Sequence, residues 1–329
     1  MPSDLAIVGC GPAGAVAAWT AARAGLRVEV FERSSFPRHR VCGEFVSAEV
    51  LPLLACIAPG LVAAAPAITH ARFLAPSGRG ARFPLPAPAR GISRWALDAA
   101  LAEAAAAAGA RLHWRTPAPP DVLAAGGIVA AGRDWRPAAS PWIGVKAHLR
   151  GLAPSADVEL YFFRGGYCGL APVENGSVNA CCLIHRRRAA DLSRSRDFVP
   201  WLCDSAASPA LYARLRGAVQ AAPTAVTTRV RIGPRAARTP AGALLAGDAS
   251  GFVAPFTGDG LARAMLSGAL AAELLVAGRA AAYPAALRRA AAPGFRAATA
   301  LRLLPGAALA RLALPSLAAR FTAATRWRA

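Results

Sequence analysis

The stretch LAIVGCGPAGAVAAWTAARAGLRVEVFE, residues 5–32, decides the fold of this 329-residue chain. Its first apolar run, LAIVG, predicts a short buried strand, and the small residues that follow predict a helix that ends at Gly25. A second apolar run ends at Glu32 and predicts another strand. A strand, a helix and a strand in this order indicate a parallel β-α-β unit, and therefore an α/β fold.

Three glycines after the first strand follow the GxGxxG pattern of a dinucleotide-binding loop. Gly9 allows the tight turn, Gly11 lets a pyrophosphate approach the backbone, and Gly14 lets the helix pack closely on the strand. Glu32 ends the second strand 23 positions after Gly9, where a carboxylate can accept hydrogen bonds from both ribose hydroxyls. We therefore interpret this unit as a dinucleotide site rather than a glycine-rich turn without a ligand.

A second motif, AGDASGFVAPFTGDG, occupies residues 246–260. A predicted strand leads Asp248 into a loop, after which Pro255 and Gly258 begin a helix. The dipole at the start of that helix would favour negative charge on a bound ring. Taken alone, this motif is equally typical of an ordinary strand-loop-helix turn.

Together the two motifs resemble the FAD-binding fold of the para-hydroxybenzoate hydroxylase superfamily, in the same order over residues 5 to about 280. The resemblance implies that the glycine loop and Glu32 hold the ADP half of FAD. It also implies that Asp248 binds the ribityl chain and that Arg94, in SRWALDAAL, lies by the cofactor. The predicted cofactor-binding residues are Gly9, Gly11, Pro12, Ala13, Gly14, Glu32, Arg33, Arg40, Cys42, Gly43, Arg94, Gly247, Asp248, Pro255, Gly258 and Gly260.

The segment FPRHRVCGEFVS, residues 36–47, resembles the Pro-x4-Cys-Gly segment of geranylgeranyl reductases and related FixC-type oxidoreductases. In those proteins this loop runs beside the flavin, which makes Arg40, Cys42, Gly43 and Glu44 candidates for the cofactor or substrate edge. Burial as a small apolar residue is the alternative for Cys42, because nothing in the sequence indicates a depressed thiol pKa.

Residues 165–184, GGYCGLAPVENGSVNACCLI, resemble the substrate-domain hairpin of the same reductase branch. That sheet covers the flavin in the family, which makes Tyr167, Cys168 and His148 candidates for the pocket, with a packing role as the alternative. The catalytic residues are not assigned, and the candidates are Cys42, Glu44, Tyr167 and His148.

Two departures from related enzymes narrow the chemistry. Residues 130–137, AAGRDWRP, lack the Asp-Gly motif that hydroxylases of the superfamily carry there. The Trp-x-Trp-x-Ile-Pro signature of flavin halogenases is also absent. We interpret Lys146 as a strand lysine that extends to the surface rather than as a halogenase lysine. Aromatic hydroxylation and halogenation are therefore disfavoured, and halogenation is kept as an alternative.

The pattern of apolar residues changes to a period of two from Trp142 to Ile184, which predicts a separate antiparallel sheet. Residues 191–217 are predicted to be helical. We expect a Rossmann-type FAD-binding domain with a parallel sheet, followed by an antiparallel-sheet substrate domain and C-terminal helices. The predicted bounds are 1–140 and 226–280 for the FAD-binding domain, with part of the substrate layer near 69–92, then 141–225 for the substrate domain and 281–329 for the helical region.

The net charge of +20 would normally suggest nucleic acid or an anionic membrane as a partner. The arginines are scattered, however, and no stripe of alternating basic and aromatic residues is present, so we expect no nucleic-acid partner. The seven cysteines include no CxxC pair, which argues against a disulfide framework or a zinc site. No signal peptide is recognised and cytoplasmic localisation is expected. The apolar, arginine-bearing residues 301–327 leave peripheral membrane contact as an alternative.

These observations predict an FAD-dependent oxidoreductase that performs reductase or monooxygenase chemistry. An apolar pocket would suit a lipophilic substrate such as a polyketide or terpenoid. Only one dinucleotide fingerprint is present, so NADPH or NADH would act as a transient reductant, or another protein would supply the electrons. A halogenase, a non-catalytic FAD-binding protein and a membrane-surface protein are the alternatives. The substrate, the choice between NADH and NADPH, and the oligomeric state stay open.

Overall fold

The computed structural model describes residues 3–119, 126–134, 140–189, 197–228, 230, 232–252 and 255–302. The helices are α1 (Pro12–Arg23), α2 (Leu51–Ile57), α3 (Pro59–Ala64), α4 (Arg94–Ala107), α5 (Phe198–Ala206), α6 (Pro209–Leu215), α7 (Gly260–Val276) and α8 (Tyr283–Arg302). The strands are β1 (Leu5–Val8), β2 (Val28–Glu32), β3 (Phe45–Val46), β4 (Ala67–Leu74), β5 (Gly80–Gly91), β6 (Arg111–Trp114), β7 (Ile128–Val129), β8 (Trp142–Arg150), β9 (Asp157–Phe163), β10 (Gly166–Pro172), β11 (Val178–His185), β12 (Val219–Gln220), β13 (Ala225–Thr227), β14 (Gly233–Pro234), β15 (Leu244–Leu245) and β16 (Gly251–Phe252).

The predicted parallel sheet is present and has the strand order β15-β7-β1-β2-β6. Its described pairs are all parallel, as a β-α-β unit requires. The main hydrophobic core lies between this sheet and helices α1, α4 and α7, and it includes the fully buried residues Ile7, Val16, Leu97 and Met265. The predicted α/β, Rossmann-type fold is therefore confirmed.

Small residues let α7 lie directly against α1. A Cβ atom added to Gly268 would lie 2.1 Å from the carbonyl oxygen of Ala13, so no larger residue fits between the two helices. Both helices begin at the carboxyl edge of the parallel sheet, since α1 follows β1 and α7 follows the loop after β15. The close packing therefore fixes two helix N-termini next to one another at that edge.

The second sheet has nine strands in the order β12-β8-β11-β10-β9-β4-β5-β3, with β13 also paired to β8. It is mixed rather than purely antiparallel, because β4 runs parallel to β9. Residues 67–91 thus belong to the same sheet as residues 142–185. Helices α5 and α6 cover one face, where Trp201 and Leu211 pack on Val145 and Leu170.

The segment predicted to be helical, residues 191–217, forms two short helices within its described residues, α5 and α6. Ala207 adopts a left-handed backbone conformation with φ of 48° and ends the first helix, and Pro209 begins the second. The predicted C-terminal helical region, residues 281–329, lies largely outside the described residues, which end at Arg302. In the described part of the chain, every helix is too short or too polar to cross a membrane.

Candidate functional site

A cavity of about 470 Å³ lies where the carboxyl edge of the parallel sheet meets the uncovered face of the mixed sheet. Ligands of open α/β folds bind at this edge, because the loops that follow the strands converge there. The lining includes every predicted cofactor-binding residue except Gly14: Gly9, Gly11, Pro12, Ala13, Glu32, Arg33, Arg40, Cys42, Gly43, Arg94, Gly247, Asp248, Pro255, Gly258 and Gly260.

The glycine loop has the shape of a phosphate cradle. Gly9 has φ of 93°, and a Cβ atom there would lie 2.6 Å from the carbonyl oxygen of Ala130. A Cβ atom on Gly14 would lie 1.8 Å from the carbonyl oxygen of Gly9, so Gly14 serves the packing of the loop rather than the cavity wall. At Gly11, by contrast, a Cβ atom would meet only the guanidinium of Arg94, at 3.7 Å. Gly11 therefore leaves space on the cavity side.

The N-terminus of α1 has no side-chain cap, since its N-cap residue is Gly11. Its first backbone N–H groups are directed at the same space and carry the positive end of the helix dipole. Uncapped amides beside open space at a helix start are the usual setting for a bound phosphate.

Glu32 is held at the end of β2 by three hydrogen bonds. Its Oε2 accepts from the backbone N–H of Cys10 at 3.0 Å, and its Oε1 accepts from the N–H of Ser34 at 3.0 Å and from the guanidinium of Arg38 at 3.1 Å. The carboxylate is buried except where it reaches the cavity lining. Its position agrees with the predicted role as a ribose acceptor.

Two arginines line the cavity, and one of them, Arg94, lies next to Gly11. Arg94 forms a bidentate ion pair with the buried Asp98, with both N–O distances 2.6 Å. Burial would lower the pKa of Arg94, but Asp98 outweighs it and raises that pKa. Burial, and then the charge of Arg94, lower the pKa of Arg40 to about 10, so Arg40 is also protonated at neutral pH. The pair suits a pyrophosphate.

Asp248 follows β15, as the second motif predicts, and its carboxylate lies 3.7 Å from the Nε of Arg133. Burial raises its pKa, and Arg133 partly opposes that shift. The glycine cradle, the two arginines and the carboxylates of Glu32 and Asp248 all line one cavity, and together they fit an FAD molecule. The individual binding roles stay predictions.

A buried polar cluster, formed by Glu44, Lys146 and His148, lies beside the cavity. The carboxylate of Glu44 is fully buried and accepts from the ammonium of Lys146 at 2.5 Å, from the Nε2 of His148 at 2.6 Å and from the backbone N–H of Arg94 at 2.7 Å. Burial alone would raise the pKa of Glu44, but the hydrogen bond from His148 and the charge of Lys146 outweigh it, so the pKa is lowered.

The interpretation of Lys146 as a lysine that extends to the surface is wrong, because its side chain is 1% exposed and paired with Glu44. Lys146 and His148 are two residues apart on β8, so their side chains share the face of the sheet that looks towards the loop at residues 36–47. The spacing of two residues could have indicated from the sequence that the two side chains share one face of a strand. Glu44 was not recognisable as their partner, because it lies about a hundred residues earlier and has φ of 56°, which is unusual for a residue other than glycine.

Of the remaining candidate residues, some line the cavity and others point away from it. Tyr167 lines the cavity, whereas Cys168 points to the other face of β10 and packs beneath α5. Cys42 lines the cavity, and burial raises its pKa, so a thiolate is not favoured there. His148 lies outside the cavity lining and meets Glu44 instead.

Comparison with known proteins identifies a dinucleotide-binding domain and reductases as relatives of this chain. Residues 7–49 match the family model of the NAD(P)-binding Rossmann-like domain. Menaquinone reductase of Mycolicibacterium smegmatis is 27% identical over 92% of this chain and 84% of its own length. Digeranylgeranylglycerophospholipid reductase 2 of Methanopyrus kandleri is 29% identical over 83% of this chain and 77% of its own.

Solved structures share the fold. A geranylgeranyl bacteriochlorophyll reductase-like protein from Thermoplasma acidophilum has a TM-score of 0.72 at 18% identity, covering 98% of this chain and 94% of its own. The flavin-dependent brominase Bmp2 has a TM-score of 0.75 at 19% identity, covering 99% and 94%. The predicted resemblance to FAD-dependent oxidoreductases, on the reductase side, is confirmed by the sequence relatives.

Replacing Gly11 by leucine should abolish FAD binding without unfolding the chain. The leucine side chain would enter the space next to Arg94, while the extended backbone of Gly11, with φ of −71°, accepts any residue. FAD content after purification and reconstitution measures the first effect, and the melting temperature of the FAD-free proteins measures the second. Retention of FAD at the wild-type level would show that the pyrophosphate does not lie at Gly11.

Replacing Glu44 by glutamine should destabilise the protein by about 3–5 kcal/mol at neutral pH, because Lys146 would stay buried without its counter-charge. Glu44 has a lowered pKa in the folded state, so its stabilisation is present above its ordinary pKa of 4.5 and is lost as the pH falls below that value. The difference between wild type and variant should therefore shrink in acid. Urea unfolding at pH 7 and at pH 3 measures both, and the double variant Glu44→Gln with Lys146→Met should recover part of the loss. A cost under 1 kcal/mol would contradict a charged pair.

Proposed function

We propose that this FAD-dependent oxidoreductase is a reductase that saturates a carbon-carbon double bond in a lipophilic, prenyl-like substrate. The observation that carries the proposal is the apolar wall of the cavity opposite the cofactor-binding loops. Within the described residues, this wall has Tyr167 and Cys181 as its polar side chains, because Cys182 points to the other face of the sheet. The wall consists of Ala71, Phe73, Leu85, Val158, Leu160, Tyr167, Ala171, Cys181, Leu183, Phe252 and Phe256.

Such a wall suits a hydrocarbon chain, because burying its apolar surface contributes roughly 25 cal/mol per Å² and no polar group of the ligand is left without a partner. The names of the two sequence relatives, a menaquinone reductase and a digeranylgeranylglycerophospholipid reductase, support a lipophilic substrate. A small polar substrate would leave Phe73, Leu160 and Phe256 facing an aqueous space.

Bound FAD supplies hydride-transfer chemistry. The protein residues would hold and orient the cofactor and the substrate. The glycine loop and the arginines would bind the phosphates of FAD, and the aromatic wall would exclude water from the reacting face of the flavin. Reduction of a double bond also needs a proton. Within the described residues, Tyr167 is the wall residue that carries a hydroxyl group, and its ring is held in place by Phe162 and Phe256. We propose Tyr167 as the proton donor to the substrate.

Halogenation is the second candidate, since flavin-dependent brominases and halogenases share the fold. The position of Lys146 argues against it. A lysine that carries a reactive halogen must reach the substrate, whereas this ammonium is bound to Glu44 and is not part of the cavity lining. Structural similarity at 16–20% sequence identity shows only that the fold is shared. The side chains in the cavity decide the reaction.

Anaerobic reduction of the purified FAD-loaded protein, followed by a panel of prenyl quinones, prenyl lipids and aromatic polyketides, tests the proposal. We expect products heavier by two hydrogens, formed without oxygen, together with reoxidation of the flavin. Products heavier by one oxygen, formed only in air, would indicate a monooxygenase. Halide incorporation would support the second candidate, and a flavin that no substrate reoxidises would favour a non-catalytic protein.

Replacing Tyr167 by phenylalanine should slow substrate reduction by about a hundredfold and leave reduction of the flavin by reduced nicotinamide nearly unchanged. The ring packing is kept, because Tyr167 contacts Phe162 and Phe256 through its ring. Rapid-mixing absorbance of the two half-reactions separates these effects. If both half-reactions keep wild-type rates, the proton comes from another group.

A further inference from the structure

The face of the mixed sheet that forms the apolar wall has a hollow at its centre. Tyr167, Gly169 and Ala171 alternate along β10, so they share the face that looks into the cavity, and all three line it. On the two neighbouring strands, Gly169 is paired with Leu160 of β9 and with Cys181 of β11. The small groups at Gly169, Ala171 and Cys181 form the hollow, and the larger side chains of Tyr167 and Leu160 bound it.

A side chain at position 169 would project into the cavity. A Cβ atom built on Gly169 would lie 3.2 Å from Cδ2 of Leu160, which lines the cavity, and 3.7 Å from the carbonyl oxygen of Cys181. Apart from the two chain neighbours, no other described atom would lie within 4 Å of it. Gly169 is also partly exposed, whereas Cys168 and Leu170 on either side of it are buried. The space above Gly169 is therefore part of the cavity.

The packing of the sheet does not require a glycine at this position. The other glycines in the described strands of the mixed sheet would each place a Cβ atom less than 3.0 Å from another atom, and they are Gly80, Gly91, Gly144 and Gly166. Gly169 has neither such a contact nor a left-handed backbone conformation. Glycine weakens the interior of a strand, and it often marks a place where a ligand approaches closely.

We propose that Gly169 is a specificity-determining residue, and that the hollow receives a methyl branch of the substrate chain next to the reacting double bond. The inference rests on the proposed function and names the feature of a prenyl chain that the cavity selects. Tyr167, the proposed proton donor, lies two positions from Gly169 on the same face, about 7 Å along the strand. A double bond that is protonated from Tyr167 would therefore place its neighbouring carbons over Gly169.

The size of the hollow favours a small branch. Side chains on one face of a strand are about 7 Å apart and neighbouring strands about 4.8 Å apart, so one missing side chain leaves room for a methyl or similarly small alkyl group. A fused ring would have to displace Tyr167 or Leu160. An unbranched chain would leave the hollow empty, and the atoms around it would lose their contacts. Burial of one methyl group strengthens binding about fourfold.

Gly169→Val tests the proposal, because valine fills the hollow and suits a strand. The tight side-chain contact is with the flexible end of Leu160, so the variant should keep its FAD content and melting temperature. The probes are geranylgeraniol and an unbranched alcohol with the same chain length and double bonds. Their Kd values are measured from the change in flavin absorbance of the FAD-loaded protein. The variant should bind geranylgeraniol at least about fourfold more weakly than the wild type, and the unbranched alcohol equally well or more tightly.

Leu170→Val is the matched control, because it places the same residue at the next position of β10, on the face that packs beneath α5. It should leave the ratio of the two Kd values as in the wild type. Gly169→Val combined with Leu160→Ala reopens space beside the new side chain and should restore part of the preference for the branched alcohol. Gly169→Ala occupies the place of one methyl group and gives the same test if the valine variant does not fold.

Two results would overturn the proposal. If Gly169→Val weakens both alcohols equally, or neither of them, Gly169 does not select the branch, whether or not the wild type reduces either alcohol. If Gly169→Val loses FAD while its FAD-free form melts as the wild type does, the cofactor rather than the substrate lies over Gly169.

Failure of this inference is distinguishable from failure of the proposed function. If Gly169→Val discriminates between the alcohols as expected but neither alcohol reoxidises the reduced flavin, the role of Gly169 stands and the proposed reductase activity falls. If the wild type binds neither alcohol, both fall.

Discussion

The buried carboxylate of Glu44 is the constraint on which the arrangement of the site depends. It connects three parts of the chain that are far apart in sequence: the loop at residues 36–47, the start of α4 through the N–H of Arg94, and β8 through Lys146 and His148. A fully buried charge is tolerated only when it is paired and fully hydrogen-bonded, so these three parts must meet in one geometry. The loop is thereby fixed between the cofactor cavity and the mixed sheet.

Fixing that loop also fixes one wall of the cavity. Arg40, Val41, Cys42 and Gly43 are consecutive residues of the loop, and all four line the cavity. The ion pair in the core therefore holds in place residues that would contact the cofactor.

The sequence predicted the parts of the fold that depend on local chemistry. The β-α-β unit, the glycine loop, the hairpin of β10 and β11 and the second motif follow from patterns within about thirty residues, and the structure places them as expected. Long-range pairing was not predictable in this way. The parallel contact of β4 with β9 joins residues about ninety positions apart, and the pairing of Glu44 with Lys146 spans 102 positions. Neither leaves a periodic signal, because each depends on how separate elements pack.

The scaffold is common to reductases and halogenases, so the chemistry has to be decided by the few side chains that reach the cavity. Here the ammonium of Lys146 is paired with Glu44, and the described wall is hydrocarbon apart from Tyr167 and the thiol of Cys181, whose pKa is raised by burial. The phenol of Tyr167 in this apolar wall is the group from which the proposed reduction would take its proton. The buried lysine and this phenol therefore both favour the proposed reductase over a halogenase.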